Sequence, residues 1–220
     1  MNINKIQKTI YIPKEILKNI DDYKNANYIV ITKYHRSGDI VIEINKKYIL
    51  KISQNKELLK KEKKTNDFLY GKINVSKTIS YFENEQYGYY LKSRVKGKPL
   101  CSEDYIKKPL FVVELLTNAI NLFHSVKDDI GNTFVHGDFC LPNILIYRNK
   151  VSGFIDLGDA GVGDKWRDIA LCYRSLKHNF DGTFGGKVYE DFNPDMLFEA
   201  LGTEPDWEKL NYYILLDELF

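Results

Sequence analysis

The residues best suited to chemistry lie in one short segment in the second half of the chain. It begins His136-Gly137-Asp138, and Asn143 follows five positions after the aspartate. An aspartate at this spacing can accept or orient the proton of an attacking hydroxyl, while the asparagine carbonyl oxygen can hold a magnesium ion. The segment therefore predicts phosphoryl transfer, with Asp138 as the catalytic residue.

A second acidic residue fits the same chemistry. Asp156 ends an apolar strand pattern and lies 18 residues after Asp138, followed by Leu157 and Gly158. This placement is typical of an aspartate that binds the metal ion together with the loop asparagine. We expect Asn143 and Asp156 to hold Mg²⁺. The alternative, in which His136 and Asp138 are themselves metal ligands, stays open at this point.

Phosphate binding requires a cation, and Lys51 lies within an apolar strand pattern that begins at Tyr48. Glu62 follows on a predicted helix, where an ion pair could hold the lysine in place. No G-x-G-x-x-G loop is present. Ser37-Gly38, between two predicted strands, is the candidate cover for the phosphates, and a plain hairpin turn is an equally good interpretation.

The secondary structure that must position these residues differs between the two halves of the chain. Runs of β-branched and aromatic residues predict five short strands, followed by a mainly helical second half. The strands begin at Tyr28, Ile40, Tyr48, Lys77 and Tyr87. A helix that starts near Lys56 and stops at Gly71 interrupts them.

The second half contains a helix that is apolar on nearly all sides, starting at Pro109. Two short strands follow, joined by a hairpin through Asn149 and Lys150, and the rest is helical, with Pro205 in the first turn of the last helix. We expect an α+β, two-lobed, protein-kinase-like fold with a small antiparallel β-sheet lobe and a larger helical lobe. The predicted parts are residues 1–94, a hinge at 95–99, and residues 100–220.

Composition excludes several classes of partner. The formal charge is +2, from 32 basic and 30 acidic residues, so no surplus favours nucleic acid or an anionic membrane. No apolar run approaches the ~20 residues of a membrane span, and the N-terminus has no leader pattern. The three cysteines form no CxxC pair, which argues against disulfides and zinc and favours a cytoplasmic protein.

Three stretches resemble the aminoglycoside 3'-phosphotransferases: VHGDFCLPNIL, GFIDLGDAGVGDKWRDIALC and the terminal NYYILLDELF. The resemblance implies that ATP and Mg²⁺ bind between the lobes and that the γ-phosphoryl group moves to a hydroxyl of an aminoglycoside, which confers antibiotic resistance. Asp138 matches the catalytic aspartate, and Asp168 matches an aspartate that braces its loop. The remaining matches are Asn143 and Asp156 for magnesium, Lys51 and Glu62 for phosphate, Ser93 to Val95 for adenine, and Asp217, Glu218 and the carboxylate of Phe220 for the drug.

Two departures from the family pattern bear on the acceptor. Asp159 stands where the family commonly has an arginine, and only residues 126–136 join the helix ending near Ser125 to Gly137, where the family normally inserts a helical pair. That insert supplies part of the drug-binding wall. The alternatives are therefore a related kinase for another amino alcohol or sugar, and a nucleotide-binding remnant with an impaired acceptor site.

Overall fold

The chain divides into two compact units in the computed structural model, which describes residues 2–31, 39–128 and 130–219. The first unit runs to Tyr70 and includes Val75–Arg94; the second contains Gly71–Asn74 and the residues from Val95 onward. The short Gly71–Asn74 segment joins the second unit because the Asn74 carbonyl accepts the Phe154 N–H at 3.1 Å. A Cβ at Gly153 would lie 2.4 Å from that carbonyl, so glycine is required for this approach.

The first unit contains one antiparallel sheet. Its strands are β1 (Tyr28–Ile31), β2 (Ile40–Ile44), β3 (Tyr48–Ser53), β4 (Thr78–Glu83) and β5 (Gly88–Ser93), in the order β1-β2-β3-β5-β4. The five predicted strands are therefore confirmed. Ser37 and Gly38, the candidate phosphate cover, lie outside the described residues.

Both faces of this sheet are covered. Two short N-terminal helices that the sequence did not predict, α1 (Ile3–Ile6) and α2 (Lys14–Leu17), pack on the face that carries Ile42, Leu50 and Leu91. The opposite face carries Lys51, because successive side chains of a strand alternate between faces. Helix α3 (Lys56–Leu69) contributes Glu62 to that face.

Helix α3 follows its sequence signals. Asn55 caps its N-terminus by accepting the Leu58 N–H at 3.0 Å, and Gly71, with φ of 88°, follows its end. Several of its lysines lie at the surface, where Lys60 pairs with Glu57 and Lys63 pairs with Asp67. The outer side of α3 is therefore a solvated helix face.

The second unit is mainly helical. Its helices are α4 (Glu103–Ile106), α5 (Pro109–His124), α6 (Lys165–Phe180), α7 (Met196–Leu201) and α8 (Trp207–Glu218). Its short strands are β6 (Lys98–Pro99), β7 (Phe134–Val135), β8 (Ile144–Tyr147), β9 (Lys150–Phe154) and β10 (Gly161–Val162). Helix α5 is buried on most sides, and its Phe123 ring packs edge-on against Phe154 at 5.0 Å between centroids.

The structure moves two predicted boundaries by one or two residues. The β8–β9 turn consists of Arg148 and Asn149, at φ of 51° and 60°, rather than Asn149 and Lys150, because a two-residue hairpin turn with positive φ matches the strand twist. Helix α8 begins after Asp206, which caps it by accepting the Lys209 N–H, so Pro205 precedes the first turn. No helix among the described residues has the length and apolar character needed to cross a membrane.

Candidate active site

The predicted catalytic loop follows β7 and begins with a sharp change of backbone direction. Strand β7 pairs antiparallel with β10, which places Gly161 opposite Val135. Gly137 has φ of 84°, and a Cβ there would lie 2.4 Å from the Asp159 carbonyl oxygen. Only glycine fits this position, which brings the loop against the segment that follows Asp156.

One face of α6 holds the loop at four backbone positions. The Asp168 carboxylate accepts the His136 N–H at 2.8 Å and the Gly137 N–H at 2.9 Å. Cys172 Sγ donates to the Phe139 carbonyl at 3.0 Å, and Ser175 Oγ accepts the Leu141 N–H at 3.1 Å. These three helix residues are spaced by four and three positions, the spacing of one helix face. The brace expected of Asp168 is confirmed.

His136 is a structural residue of this loop. Its Nδ1 accepts the Asp138 N–H at 3.3 Å, so the proton is on Nε2, which donates to the Ile155 carbonyl at 3.0 Å. The ring stacks on Phe139 at 5.0 Å between centroids. Both ring nitrogens are engaged, and no group of three His, Cys, Asp or Glu residues suited to a metal occurs in the described parts of the chain. The reading of His136 as a metal ligand is therefore wrong.

The Asp138 side chain is held by two residues of its own loop. Asn143 Nδ2 donates to Asp138 Oδ2 and to the Asp138 backbone carbonyl, both at 2.9 Å. The Cys140 thiol donates to Oδ1 at 3.1 Å. With Nδ2 engaged, no hydrogen bond within the described residues uses Asn143 Oδ1. This oxygen is the atom that the sequence assigned to magnesium.

Asp156 lies two residues after the end of β9, next to Ile155, which bonds to the catalytic loop. Ile155 N–H donates to the Asn143 carbonyl at 3.1 Å, which extends the β8–β9 pairing to the residue before Asp156. Asp156 itself adopts φ of 59°, a left-handed conformation that is uncommon for a residue with a side chain and is often found at functional sites. The two predicted magnesium ligands therefore lie on paired, adjacent segments.

The half-buried Cys140 thiol lies beside charged groups. Burial, and then the negative charge of Asp138, raise the pKa of this thiol well above its usual value, while Arg174 acts in the opposite direction. The thiol stays protonated near neutral pH and can keep donating to Asp138. Sequence reasoning did not assign a role to Cys140, Cys172 or Ser175.

The predicted drug-binding residues lie at the end of α8. The Asp217 carboxylate forms an ion pair with Arg174 of α6, and both groups act on Cys140 electrostatically. Glu218 is exposed. Phe220 lies outside the described residues, so its carboxylate stays a prediction.

In the first unit, Lys51 Nζ contacts Glu62 Oε2 at 3.0 Å, as the sequence predicted. Lys51 also lies 3.4 Å from an Asp39 carboxylate oxygen. The other Glu62 oxygen, Oε1, pairs with Lys92 of β5, a residue that the sequence did not single out. All of these side chains are at most 10% exposed.

The stretch expected to bind adenine contains Ser93 and Val95. The Ser93 N–H donates to the Lys77 carbonyl at 2.8 Å, and its Oγ accepts the Lys77 N–H at 2.8 Å. The Ser93 N–H is therefore engaged, and the groups that could contact adenine are its carbonyl oxygen and its hydroxyl proton. Val95 is buried and begins the second unit.

The short connection before the loop folds back on itself. Lys127 forms an isolated antiparallel bridge with Thr133, and the Asp128 carboxylate accepts the N–H groups of Ile130 and Asn132 at 3.1 and 2.7 Å. No helix occurs in the described residues of this segment, from which only residue 129 is left out.

Comparison with known proteins places this geometry in a family. Residues 104–211 match the model of the phosphotransferase enzyme family. An aminoglycoside 3'-phosphotransferase of Enterococcus faecalis is 31% identical over 217 residues, which cover 74% of this chain and 79% of the relative. The chain belongs to the aminoglycoside 3'-phosphotransferase family. A Niallia circulans aminoglycoside 3'-phosphotransferase is 46% identical over 88 residues, or 40% of this chain and 30% of the relative.

Solved structures agree on the fold. An aminoglycoside phosphotransferase from Streptomyces rimosus superposes with a TM-score of 0.73 at 17% identity, covering 99% of this chain and 98% of the other. A type VIII aminoglycoside 3'-phosphotransferase gives the same TM-score at 18% identity, with coverage of 94% and 98%. The predicted fold class of this family member is therefore confirmed.

Proposed function

We propose that this chain transfers the γ-phosphoryl group of ATP to a hydroxyl of an aminoglycoside, and so confers resistance to the drug. The observation that carries the proposal is the Asp138 carboxylate, held by Asn143 on a loop that α6 fixes at four backbone positions. The relatives named above are aminoglycoside 3'-phosphotransferases. Phosphoryl transfer is accelerated mainly by positioning and by charge stabilisation, which is what a rigid loop of this kind supplies.

Asp138 is the residue that acts on the acceptor. Each of its carboxylate oxygens accepts one hydrogen bond from the loop, and each retains capacity for a second. An acceptor hydroxyl can therefore donate to Asp138, which orients it towards the phosphorus and takes its proton. The bonds from Asn143 and Cys140 fix the carboxylate rotamer, so the orientation is set before the acceptor binds.

The nucleotide and metal would be held by separate groups. Lys51 would bind the α and β phosphates, with Glu62 maintaining its position, and the Ser93 to Val95 stretch would bind adenine. Asn143 Oδ1 and the Asp156 carboxylate are hard oxygen donors, and such a small protein set suits Mg²⁺, which usually keeps waters and phosphate oxygens as its other ligands. When bound, Mg²⁺ would neutralise charge on the phosphate oxygens.

The acceptor side would recognise positive charge. Asp217, Glu218 and the Phe220 carboxylate are suited to the ammonium groups of an aminoglycoside, because charge-assisted hydrogen bonds are the stronger ones. Asp217 already pairs with Arg174. A drug ammonium would therefore share this carboxylate with the arginine, and Glu218 and the chain end would supply uncompensated negative charge.

The short connection favours a second candidate function. Its closure by the Lys127–Thr133 bridge leaves little chain to build an acceptor wall. The corresponding activities are phosphorylation of a smaller amino alcohol or sugar, or nucleotide binding with mainly water as acceptor, since water competes where closure is poor.

A coupled ADP-release assay separates these functions, with kanamycin, neomycin, a panel of simpler amino alcohols and sugars, and water as acceptors. Drug-dependent release well above the water rate, lost in Asp138→Ala, supports the proposal. Release stimulated only by a simpler acceptor would assign the alternative kinase activity. Nucleotide binding without stimulated release from any acceptor would identify an impaired site.

A cytoplasmic location is part of the proposal. Its support is the odd number of cysteines without a CxxC pair, which suits a reducing compartment. Cell fractionation of an expressing bacterium tests it, and recovery of the protein outside the cytoplasmic fraction would contradict it.

A further inference from the structure

The Glu62 carboxylate lies between two lysines, one on each of two neighbouring strands. Oε2 contacts Lys51 Nζ of β3 at 3.0 Å, and Oε1 contacts Lys92 Nζ of β5. The side chains of Glu62, Lys51 and Lys92 are 1%, 10% and 7% exposed. Removing an ion from water is costly even after the protein relaxes, so a second buried lysine requires a compensating interaction.

The sheet register explains how the two lysines meet one carboxylate. Lys51 is opposite Tyr90, and Lys92 is two residues further along β5, so both lysines project from the same face as diagonal neighbours. Lys92 Nζ lies 5.2 Å from the centroid of the Tyr90 ring. The aromatic ring and the carboxylate together stabilise the Lys92 cation in a buried position.

Lys92 gives the Glu62 carboxylate a second cationic partner. Lys51 contacts the Glu62 and Asp39 carboxylates, and Glu62 contacts both Lys51 and Lys92. Without Lys92, Glu62 would lose one of its two lysine partners and would act more strongly on Lys51. Since a lysine binds phosphate as a compact point charge, its carboxylate partners compete directly with phosphate for it.

We propose that Lys92 is a positioning residue for nucleotide binding, which neutralises Glu62 so that Lys51 remains able to bind phosphate. The inference rests on the proposed role of Lys51. Glu62 can then hold Lys51 in place without binding it so strongly that it is lost to the nucleotide.

The test measures MgADP affinity by calorimetry, KM for ATP and kcat in Lys92→Met. We expect the MgADP Kd and the KM for ATP to rise about tenfold, with kcat changed much less, because an uncompensated buried charge costs on the order of one pKa unit or more. Lys92→Arg should retain affinity. Lys63→Met removes a lysine that pairs with Asp67 on the outer side of α3, and should leave the MgADP Kd unchanged.

A charge-restoring variant distinguishes this role from simple stabilisation. Adding Asp39→Asn to Lys92→Met removes one carboxylate from Lys51 and restores the wild-type net charge of the cluster, so MgADP affinity should recover. If Lys92 only stabilises the sheet, the double variant should bind no better than Lys92→Met. Should Lys92→Met not fold, Asp39→Asn alone gives the answer: it should tighten MgADP binding, and weaker binding would overturn the proposal.

Lys51→Met distinguishes the phosphate-binding role of Lys51 from the positioning role of Lys92. If this variant keeps wild-type MgADP affinity, the phosphate-binding role of Lys51 is wrong. If Lys51→Met binds weakly while folded Lys92→Met binds normally, only the role of Lys92 is refuted.

Discussion

Replacing Asp168 with asparagine should test whether α6 positions the catalytic loop. The Asp168 carboxylate is fully buried and accepts hydrogen bonds from the His136 and Gly137 N–H groups at 2.8 and 2.9 Å. It also lies 2.9 Å from His124 Nε2. Asparagine keeps one oxygen but presents an NH₂ group to the other donors. At least one buried donor therefore loses its acceptor.

The expected cost follows from that count. A buried donor left without an acceptor costs about 1–3 kcal/mol, so Asp168→Asn should lower the free energy of unfolding by that amount. Asp168→Ala leaves both buried backbone N–H groups, of His136 and Gly137, without an acceptor and should lower it by ~2–6 kcal/mol. The latter is a large part of the ~5–15 kcal/mol that stabilises a typical domain. Asp168→Asn is thus the variant to assay, and its loop should be displaced, with kcat reduced up to about a hundredfold.

Asp164→Asn provides the matched control. It is the same change at the start of the same helix, but Asp164 caps α6 by accepting the Trp166 N–H at 3.0 Å and pairs with Lys209 of α8 rather than with the catalytic loop. Asparagine can keep the cap through its side-chain oxygen and loses only the partly exposed ion pair with Lys209, which costs about 0–1 kcal/mol. Urea unfolding and steady-state kinetics should show Asp164→Asn close to the wild type in stability and rate, and Asp168→Asn destabilised and slow. Equal kcat in the two variants would refute the positioning role.

Further predictions concern the site residues themselves. Asp138→Ala should lower the phosphoryl-transfer rate by about 10²–10⁴-fold while MgADP binding persists, because Asn143 keeps its bond to the Asp138 backbone carbonyl; a rate above one tenth of the wild type would argue against catalysis by this group. Asp156→Asn should weaken the magnesium dependence of ATP binding, which a metal titration measures, and an unchanged titration would exclude it as a ligand. Deletion of Leu219 and Phe220 should raise the KM for an aminoglycoside much more than the KM for ATP; a wild-type drug KM would mean that the chain end only terminates a helix. Cys140, whose pKa is raised first by burial and then by Asp138, should resist iodoacetamide at pH 8 until urea unfolds the protein, and rapid labelling of the native protein would contradict this.

The elements that sequence patterns predicted are those whose signals are local. The strands that begin at Ile40 and Tyr48 have apolar runs bounded by turn residues, and α3 has a cap at Asn55 and a stop at Gly71. Helices α1 and α2 were missed because four residues are too few to show a helical period. Their apolar residues become interpretable only once the sheet that they cover is known.

The candidate site also contains some contacts that follow from local sequence patterns and others that depend on residues far away in the chain. The spacing of Asp138 and Asn143 is a local pattern, and their contact follows from it. The roles of Lys92 and Ser175 depend on partners that lie 30 and 34 positions away in the chain. A lysine in a strand normally indicates a solvent-exposed position, so nothing in the sequence marked Lys92 as buried. The Ser175 position could have been found by extending the helix face of Asp168 by seven residues.

The contacts that hold the catalytic loop also explain why a short connection is compatible with nucleotide chemistry. Asp168, Cys172 and Ser175 fix the loop from α6, and the Ile155 carbonyl fixes His136 from the strand side. Among the described residues of the 126–136 connection, β7 pairs with β10, while the Lys127–Thr133 bridge and the Asp128 carboxylate close the turn on itself. The residues that hold the Asp138 carboxylate, Cys140 and Asn143, and the α6 residues that hold the loop all lie outside this connection, so a short connection leaves them in place. A change in the ratio of ATP hydrolysis to drug phosphorylation, with unchanged nucleotide affinity, is the expected consequence of such an arrangement.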